Sequence, residues 1–278
     1  MKTKISITIN EKILRDIDSV VDNIFIRNRS QAIEHFIKKA LKESRIAVIL
    51  AGSKSKGLVG SKFPNRYAYK IDNQTLIEKQ IKKLGDSGFR TVYIIADHKT
   101  LTNIFRIIGD NSDSRMKIEY LDEDDQGGTA SALKLLKGKI KTTFLVIQCD
   151  LVIDKVNVLE LWNQHLESKM ITTILICSSV IPSNDCLFGH VTMEGKKILT
   201  FDEKPVKKNL PSSLFFGGLF VAEPEIFNYP GRSLEFEIFP ELTKRRLLGG
   251  YISGQEHLHI HTHEDLLNVR KKLKELEK

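Results

Sequence analysis

A chain of 278 residues with 41% hydrophobic content is long for one domain, comfortable for two, and able to bury a substantial core. No run approaches the ~18 apolar residues of a membrane helix, and the basic, polar start Met1-Lys2-Thr3-Lys4 lacks the apolar core of a signal peptide, so a cytoplasmic protein without a membrane partner is expected. Residues 1–45 hold ten Lys or Arg against six Asp or Glu within a formal charge of +8, which points to a polyanion partner, while Cys149, Cys177 and Cys186, odd in number and lacking a C-x-x-C pair, argue against a disulfide framework or a Cys-rich zinc site.

The first element is residues 4–9, Lys-Ile-Ser-Ile-Thr-Ile. Strict alternation puts Ile5, Ile7 and Ile9 on one face and Lys4, Ser6 and Thr8 on the other, the pattern of a strand with one dry face. Asn10 is placed to cap a helix over about residues 11–22, with Ile13, Leu14, Ile17, Val20 and Val21 as its apolar stripe. Ser30 is placed to cap a second helix bearing Ala32, Ile33, Phe36, Ile37, Ala40 and Leu41. So short a segment buries too little to stand alone, and a lone strand lacks a ladder partner, so dimerisation is expected.

This arrangement, with Asn28-Arg29-Ser30-Gln31-Ala32 opening the second helix, resembles the ribbon-helix-helix DNA-binding family over residues 2–44. The resemblance implies that two chains pair their strands into an antiparallel ribbon in the major groove of DNA. Lys4, Ser6 and Thr8 would then face base edges, and Arg29 and Ser30 would hold a backbone phosphate. The alternative is a dimerisation module without DNA, its polar face simply solvated.

From Ile46 the pattern becomes alternating strands and helices, which predicts an α/β unit with a largely parallel sheet. Ile46-Ala47-Val48-Ile49-Leu50 reads as a strand buried on both faces. In the loop that follows, Gly52 and Gly57 allow close backbone approach, and Lys54 and Lys56 bring positive charge. That composition suits either a phosphate cradle or an ordinary solvated loop. Residues 75–85 read as a helix, 91–96 as a strand, 101–108 as a helix and 117–121 as a strand, an order that fits a nucleotide-binding, Rossmann-like half. The buried strand at 144–148 ends close to Asp150, whose carboxylate is placed either to hold a hard cation at the sheet edge or to serve as a turn acid.

The segment from Leu50-Ala51-Gly52-Ser53 to Leu58 resembles the Leu-Ala-Gly-Gly-x-Gly-Thr-Arg-Leu loop of the sugar-1-phosphate nucleotidylyltransferases, and the resemblance covers residues 46–278. It implies that Leu50, Ala51, Gly52 and Ser53 wrap a nucleoside triphosphate. Gln126-Gly127-Gly128-Thr129-Ala130-Ser131-Ala132-Leu133 is similar to the family's Gly-Thr-Ala-Gly-Ala-Leu segment, which implies that Gln126, Gly128 and Thr129 approach the nucleobase. Cys149-Asp150 resembles the strand-terminal Gly-Asp, which implies magnesium on Asp150. Phe201-Asp202-Glu203-Lys204-Pro205 is similar to Phe-x-Glu-Lys-Pro, which implies that Lys204 neutralises the sugar phosphate while Glu203 meets the loop and sugar hydroxyls. Phe216-Gly217-Gly218-Leu219-Phe220 resembles the Asn-Ala-Gly-Ile-Tyr strand, and residues 233–240 resemble Ser-x-Glu-x-x-x-x-Pro, which imply Gly218 and Glu235 at the sugar subsite.

Three positions depart from the family. Gly57 stands where an Arg clamps the triphosphate, leaving Lys56 as its neighbouring substitute. Asn65 and Arg66 fall on a Pro-Lys pair, which keeps a cation of different shape. His259, within His257-Leu258-His259-Ile260-His261-Thr262-His263, falls on the second metal-binding Asp. Catalytic roles therefore fall to Asp150, Lys56 and Arg66, and metal ligation to Asp150 and His259. Magnesium is the expected ion, with manganese or zinc as the choice a nitrogen ligand would favour; the alternative is that the histidines are simply satisfied.

The fold expected is a Rossmann-like nucleotidyltransferase unit, residues 45–278, with a mixed, mainly parallel sheet, preceded by a β-α-α ribbon-helix-helix unit, residues 1–44. Because the substitutions fall on charge-handling positions, the first functional expectation is a DNA-binding regulator that senses a nucleotide, sugar phosphate or nucleotide sugar. The alternative is an active sugar-1-phosphate nucleotidylyltransferase with a DNA-binding or dimerising arm. Either is expected to be a homodimer, or a tetramer of paired dimers.

Overall fold

The computed structural model describes residues 4–22, 24–43, 45–52, 66–109, 116–123, 127–178, 188–205, 212–254, 258–260, 265, 267–269 and 271. The chain divides into two compact units, Met1–Ser44 and Arg45–Lys278.

In the first unit, α1 (Glu11–Ser19) begins where Asn10 Oδ1 accepts from the Lys12 amide at 2.9 Å. It stops short of residue 22 because the Asp22 carboxylate gathers the amides of Ile24, Phe25 and Ile26 at 2.8, 2.8 and 2.9 Å, a turn that competes with helix continuation. The cap of α2 (Arg29–Glu43) is Asn28, whose Oδ1 accepts from the Gln31 amide at 3.0 Å. Ser30, expected in that role, instead lies in the first turn. Arg29 forks onto Asp18 at 2.6 and 2.8 Å, strapping the two helices together with the donors the resemblance assigns to a phosphate.

Residues 4–10 form no ladder within the single chain, a correction to the strand expected at 4–9. Its alternation is real, but a strand exists only when a neighbour takes its N–H and C=O groups. Lys4, Ser6 and Thr8 are exposed, and so are Ile5 and Ile7, at 70% and 53%. Among the described residues of this unit only Ile17 and Ala32 are buried.

The second unit runs β1 (Ile46–Leu50), a 3-10 turn (Arg66–Ala68), the hairpin β2 (Lys70–Ile71) and β3 (Gln74–Thr75), α3 (Leu76–Asp86), β4 (Thr91–Ala96), α4 (His98–Ile108), β5 (Lys117–Asp122), α5 (Thr129–Lys134), β6 (Phe144–Gln148), β7 (Leu151–Val152) and α6 (Val158–Glu167). It continues through β8 (Thr172–Ser178), β9 (Gly189–Glu194), β10 (Lys197–Glu203), β11 (Leu214–Ala222), a 3-10 helix (Pro224–Asn228), a π-helix (Leu234–Ile238), α7 (Phe239–Lys244), β12 (Leu248–Ser253) and β13 (Leu258–His259). Thr75 and Glu78 close a reciprocal capping box that starts α3, and Asp97 caps α4.

One nine-stranded sheet has the order β5-β4-β1-β6-β11-β8-β12-β10-β9. Alternate residues of β1 serve opposite layers: Ala47 and Ile49 pack in a core with Ile77, Ile104 and Leu161 from α3, α4 and α6, while Val48 packs in a second core with Leu133 and Leu242 from α5 and α7. The result is a three-layer α/β/α sandwich.

The sheet is mixed, with four parallel and five antiparallel ladders among its described strands. β5, β4, β1 and β6 are parallel, as are β8 and β12; β11 runs antiparallel to β6 and β8, and β10 antiparallel to β9 and β12. The reason lies in connection length: a parallel pair needs a crossover of a dozen or so residues, whereas β9 and β10 are joined by a tight turn at Gly195, φ +56°. A further pairing of Phe215 with His190 brings β9 back to β11, so the last five strands curl into a barrel-like wall.

Candidate active site

The C-terminal ends of β1 and β6 lie side by side, Leu50 paired with Gln148, the edge where parallel sheets hold ligands. Ala51 donates its amide to Ile95 O at 2.8 Å and carries the chain out of the sheet at Gly52. A β-carbon on Gly52 would lie 2.1 Å from Glu123 Oε1, so a larger residue there would displace the end of that side chain. Ser53, Lys54, Lys56 and Gly57, with Asn65, Gln126 and Cys186, lie outside the described residues.

Beyond β6 the chain turns sharply at Cys149 and Asp150. Gln80, wholly buried on α3, fixes the turn by donating Nε2 to Gln148 O at 3.1 Å and to Leu151 O at 2.8 Å. Arg66, opening the 3-10 turn, donates Nη1 to Asp150 Oδ2 at 2.7 Å, and the two side chains are only 18% and 10% exposed. The ladder of β13 on β7 sets His259 opposite Leu151, and Ile260 donates its amide to Asp150 O at 3.0 Å. His259 Nδ1 thereby stands 3.8 Å from Asp150 Oδ1. Gly218 completes this corner: at φ +70° beside a bulge in β11, it leaves space where a β-carbon would meet His259 Cε1 at 2.9 Å and Gln148 Oε1 at 3.0 Å. Burial pushes the Cys149 thiol well above its ordinary range, leaving it no nucleophilic character.

The second corner is carboxylate-rich. Glu235, buried in the π-helix, takes hydrogen bonds from Thr129 Oγ1 at 2.6 Å, Ser233 Oγ at 3.1 Å and Gln148 Nε2 at 3.2 Å. Thr129 is also fixed from behind, its Oγ1 accepting from the Leu234 amide at 2.9 Å. Its hydroxyl serves the acid of the expected sugar subsite, where the resemblance assigns it to the nucleobase. The start of α5 is closed by Arg232 O, which takes the Ala130 and Ser131 amides at 2.9 and 3.2 Å and would lie 2.4 Å from a β-carbon on Gly128.

Glu203, at the end of β10, is half-buried; burial first and the neighbouring Glu235 second push its carboxyl up to about 7. Lys204 beside it sits at φ +52°, a left-handed conformation costing a non-glycine residue about 1–2 kcal/mol, and is tied through its amide to Phe188 O at 3.2 Å. Strain of this kind persists where surroundings impose it, commonly at ligand sites.

The structure thus gathers Asp150, Arg66, His259, Gly218 and Gln148 in one corner and Thr129, Glu203 and Glu235 in the other, with Gln148 touching both. Gln80 and Gln148 escaped sequence reasoning, since a glutamine inside an apolar helix or strand carries no motif. Asp150 and His259 form a donor pair of one carboxylate and one imidazole, a set that fits a single divalent ion completed by phosphate oxygens. Among the described residues no cluster of three or more His, Cys, Asp or Glu side chains has metal-binding geometry.

One sheet covered by helices on both faces, with a cation–carboxylate pair at its parallel strand ends, defines an α/β protein. The chain belongs to the nucleotidyl transferase family, whose model matches residues 46–238. It is 25% identical over 178 residues to a mannose-1-phosphate guanyltransferase of Aspergillus oryzae, covering 62% of this chain and 48% of that protein. It is 29% identical over 150 residues to the bifunctional protein GlmU of Methanococcus maripaludis, covering 50% and 33%. The chain spans about half or less of the length of these curated relatives.

Among solved structures, a Bacillus anthracis protein assigned as a glucose-1-phosphate thymidylyltransferase, in complex with sucrose, shares the fold at a TM-score of 0.71 and 20% identity over 82% of this chain and 94% of that one. A UDP-glucose pyrophosphorylase bound to UDP-glucose does so at 0.67 and 15%, over 83% and 98%. Among the described residues no helix is long and apolar enough to cross a membrane.

Proposed function

We propose that residues 45–278 transfer a nucleotidyl group from a nucleoside triphosphate to a sugar 1-phosphate. A phosphate oxygen of the sugar attacks the α-phosphorus, the bond from the α-phosphorus to the bridging oxygen breaks, and pyrophosphate leaves with its electron pair. The observation that carries this reading is the adjacency of two differently charged corners: Arg66 with Asp150 on the triphosphate side, and the Glu203–Glu235 pair with strained Lys204 on the sugar side. The relatives named for sugar 1-phosphate transfer support it over a ligand-sensing regulator.

In this chemistry the protein supplies position and charge. Lys204 and Arg66 neutralise phosphates, Glu235 accepts from a sugar hydroxyl, and Gly52 and Gly218 let backbone approach the ligands. A divalent ion, held by Asp150 and His259 with phosphate oxygens, would screen charge on the triphosphate. The test is pyrophosphate release from a panel of sugar 1-phosphates and nucleoside triphosphates in magnesium and in manganese. Turnover abolished by Asp150→Asn supports the proposal; no turnover with any pair rejects it.

A second reading concerns the first unit. Ile5, Ile7, Ile13, Phe36 and Ile37 are exposed on a unit with two buried residues among those described, which supports pairing with a second copy through residues 4–9. Such a ribbon would present Lys4, Ser6 and Thr8 to DNA. The ion pair to Asp18 leaves Arg29 to steady the helices, so phosphate contact would fall to helix-start amides. Sedimentation and a gel shift with genomic fragments decide this: a dimer that retards DNA, weakened by Lys4→Ala with Thr8→Ala, supports it, and a monomer rejects it.

A further inference from the structure

The Asp150 carboxylate, the anionic donor of the expected metal pair, is already engaged by a cation. Arg66 Nη1 donates to Oδ2 at 2.7 Å, with both side chains largely withdrawn from water. A guanidinium keeps its charge at any ordinary pH, so it cannot leave this carboxylate by losing a proton; it leaves only by finding another anion. The other carboxylate oxygen, Oδ1, faces an imidazole nitrogen at 3.8 Å. A divalent ion approaching Asp150 therefore meets a fixed positive charge within hydrogen-bonding distance of its ligand, in a setting of weak screening.

The backbone around Arg66 favours a side-chain swing over a loop movement. Tyr67, the next residue, is buried at 2% exposure, and the Tyr69 amide donates to Arg66 O at 3.2 Å, so the 3-10 turn is anchored on its C-terminal side. What can move is the guanidinium, along rotatable side-chain bonds. A triphosphate, with roughly four negative charges, offers it bidentate partners stronger than one carboxylate.

We propose that in the ligand-free protein Arg66 is the resident counter-ion of Asp150 and keeps divalent ions off it, and that a triphosphate opens the metal site by drawing the guanidinium away. This rests on the transfer reading for the identity of the anion. The same contact orders the site: nucleotide binds first, and metal with it or after it. It also keeps a buried carboxylate paired while the site is empty of substrate, sparing the protein an uncompensated charge.

The test measures manganese binding to nucleotide-free protein by electron paramagnetic resonance, comparing wild type with Asp150→Asn, Arg66→Gln, Arg66→Lys and the Arg66→Gln/Asp150→Asn double variant. The expected result is that wild type binds manganese no tighter than Asp150→Asn. Arg66→Gln should bind roughly tenfold tighter or more, Arg66→Lys should stay near wild type, and the double variant should lose the gain. Wild type binding manganese through Asp150 as tightly as Arg66→Gln overturns the proposal. If Arg66→Gln does not fold, the wild-type comparison with Asp150→Asn still decides: tighter binding by wild type overturns it. Because no turnover is read, failure to release pyrophosphate from any substrate pair would reject the transfer reading and leave this result standing.

Discussion

The hydroxyl of Thr129, at the start of α5, donates to the carboxylate of Glu235 at 2.6 Å across a sequence separation of 106 residues. The same oxygen accepts from the Leu234 amide, so one small side chain joins the Gly-Gly-Thr turn to the π-helix and aims its acid. Ser233 and Gln148 add further donors to Glu235, while burial first and the neighbouring Glu235 second push the Glu203 carboxyl upward.

Thr129→Val keeps the volume and deletes both bonds. A stability loss of about 1–3 kcal/mol is expected, because the Leu234 amide loses its acceptor and Glu235 Oε2 is left with Ser233 alone of its two hydroxyl donors. In pyrophosphate-release kinetics the KM for sugar phosphate should rise about tenfold with the KM for nucleoside triphosphate little changed. A rise confined to the triphosphate would place Thr129 at the nucleobase instead.

Gln80→Leu should cost about 2 kcal/mol or more, because it strands two buried carbonyls, those of Gln148 and Leu151. Urea denaturation measures the loss. A midpoint matching wild type would show that the turn around Asp150 holds without the glutamine.

His165 on α6 is buried, with Nδ1 2.8 Å from Thr173 Oγ1 and Nε2 3.2 Å from Glu223 Oε1. Burial depresses its pKa below the ordinary 6.5 in spite of the carboxylate. The unfolded chain thus takes up this proton at higher pH than the folded one, and stability falls as pH drops below 6.5, at up to about 1.4 kcal/mol per pH unit. Urea midpoints between pH 7.5 and 5 should show this limb in wild type and a flatter one in His165→Gln.

Glu203 has the opposite sign. Its folded pKa of about 7 lies above the ordinary 4.5, so the folded state retains a proton the unfolded state has released, and stability falls as pH rises from 4.5 through 7. Glu203→Gln should be more stable than wild type at pH 8, by about 1–3 kcal/mol, with the two converging near pH 4.5. A variant less stable at pH 8 would mean that Glu203 is ionised without penalty in the folded protein.

The sequence by itself determined the local elements and the list of polar groups. The apolar runs at Ile46–Leu50 and 91–96 and the helical spacing over 75–85 depend on neighbours a few residues apart, and β1, β4 and α3 lie where those patterns put them. Asp150 stood out as an acid at the end of a buried strand, whereas Glu203, Glu235 and His259 stood out only through the family resemblance. Connections and second partners were decided by tertiary structure. The antiparallel β11 finds its neighbours β6 and β8 far back along the chain, and Arg66 meets Asp150 across a sequence separation of 84 residues. Gln80 and Gln148 gained their roles in the same way. A hydrogen bond across a hundred residues leaves no period in a sequence, because its energy depends on where the two atoms finish in space and not on what stands next to either along the chain.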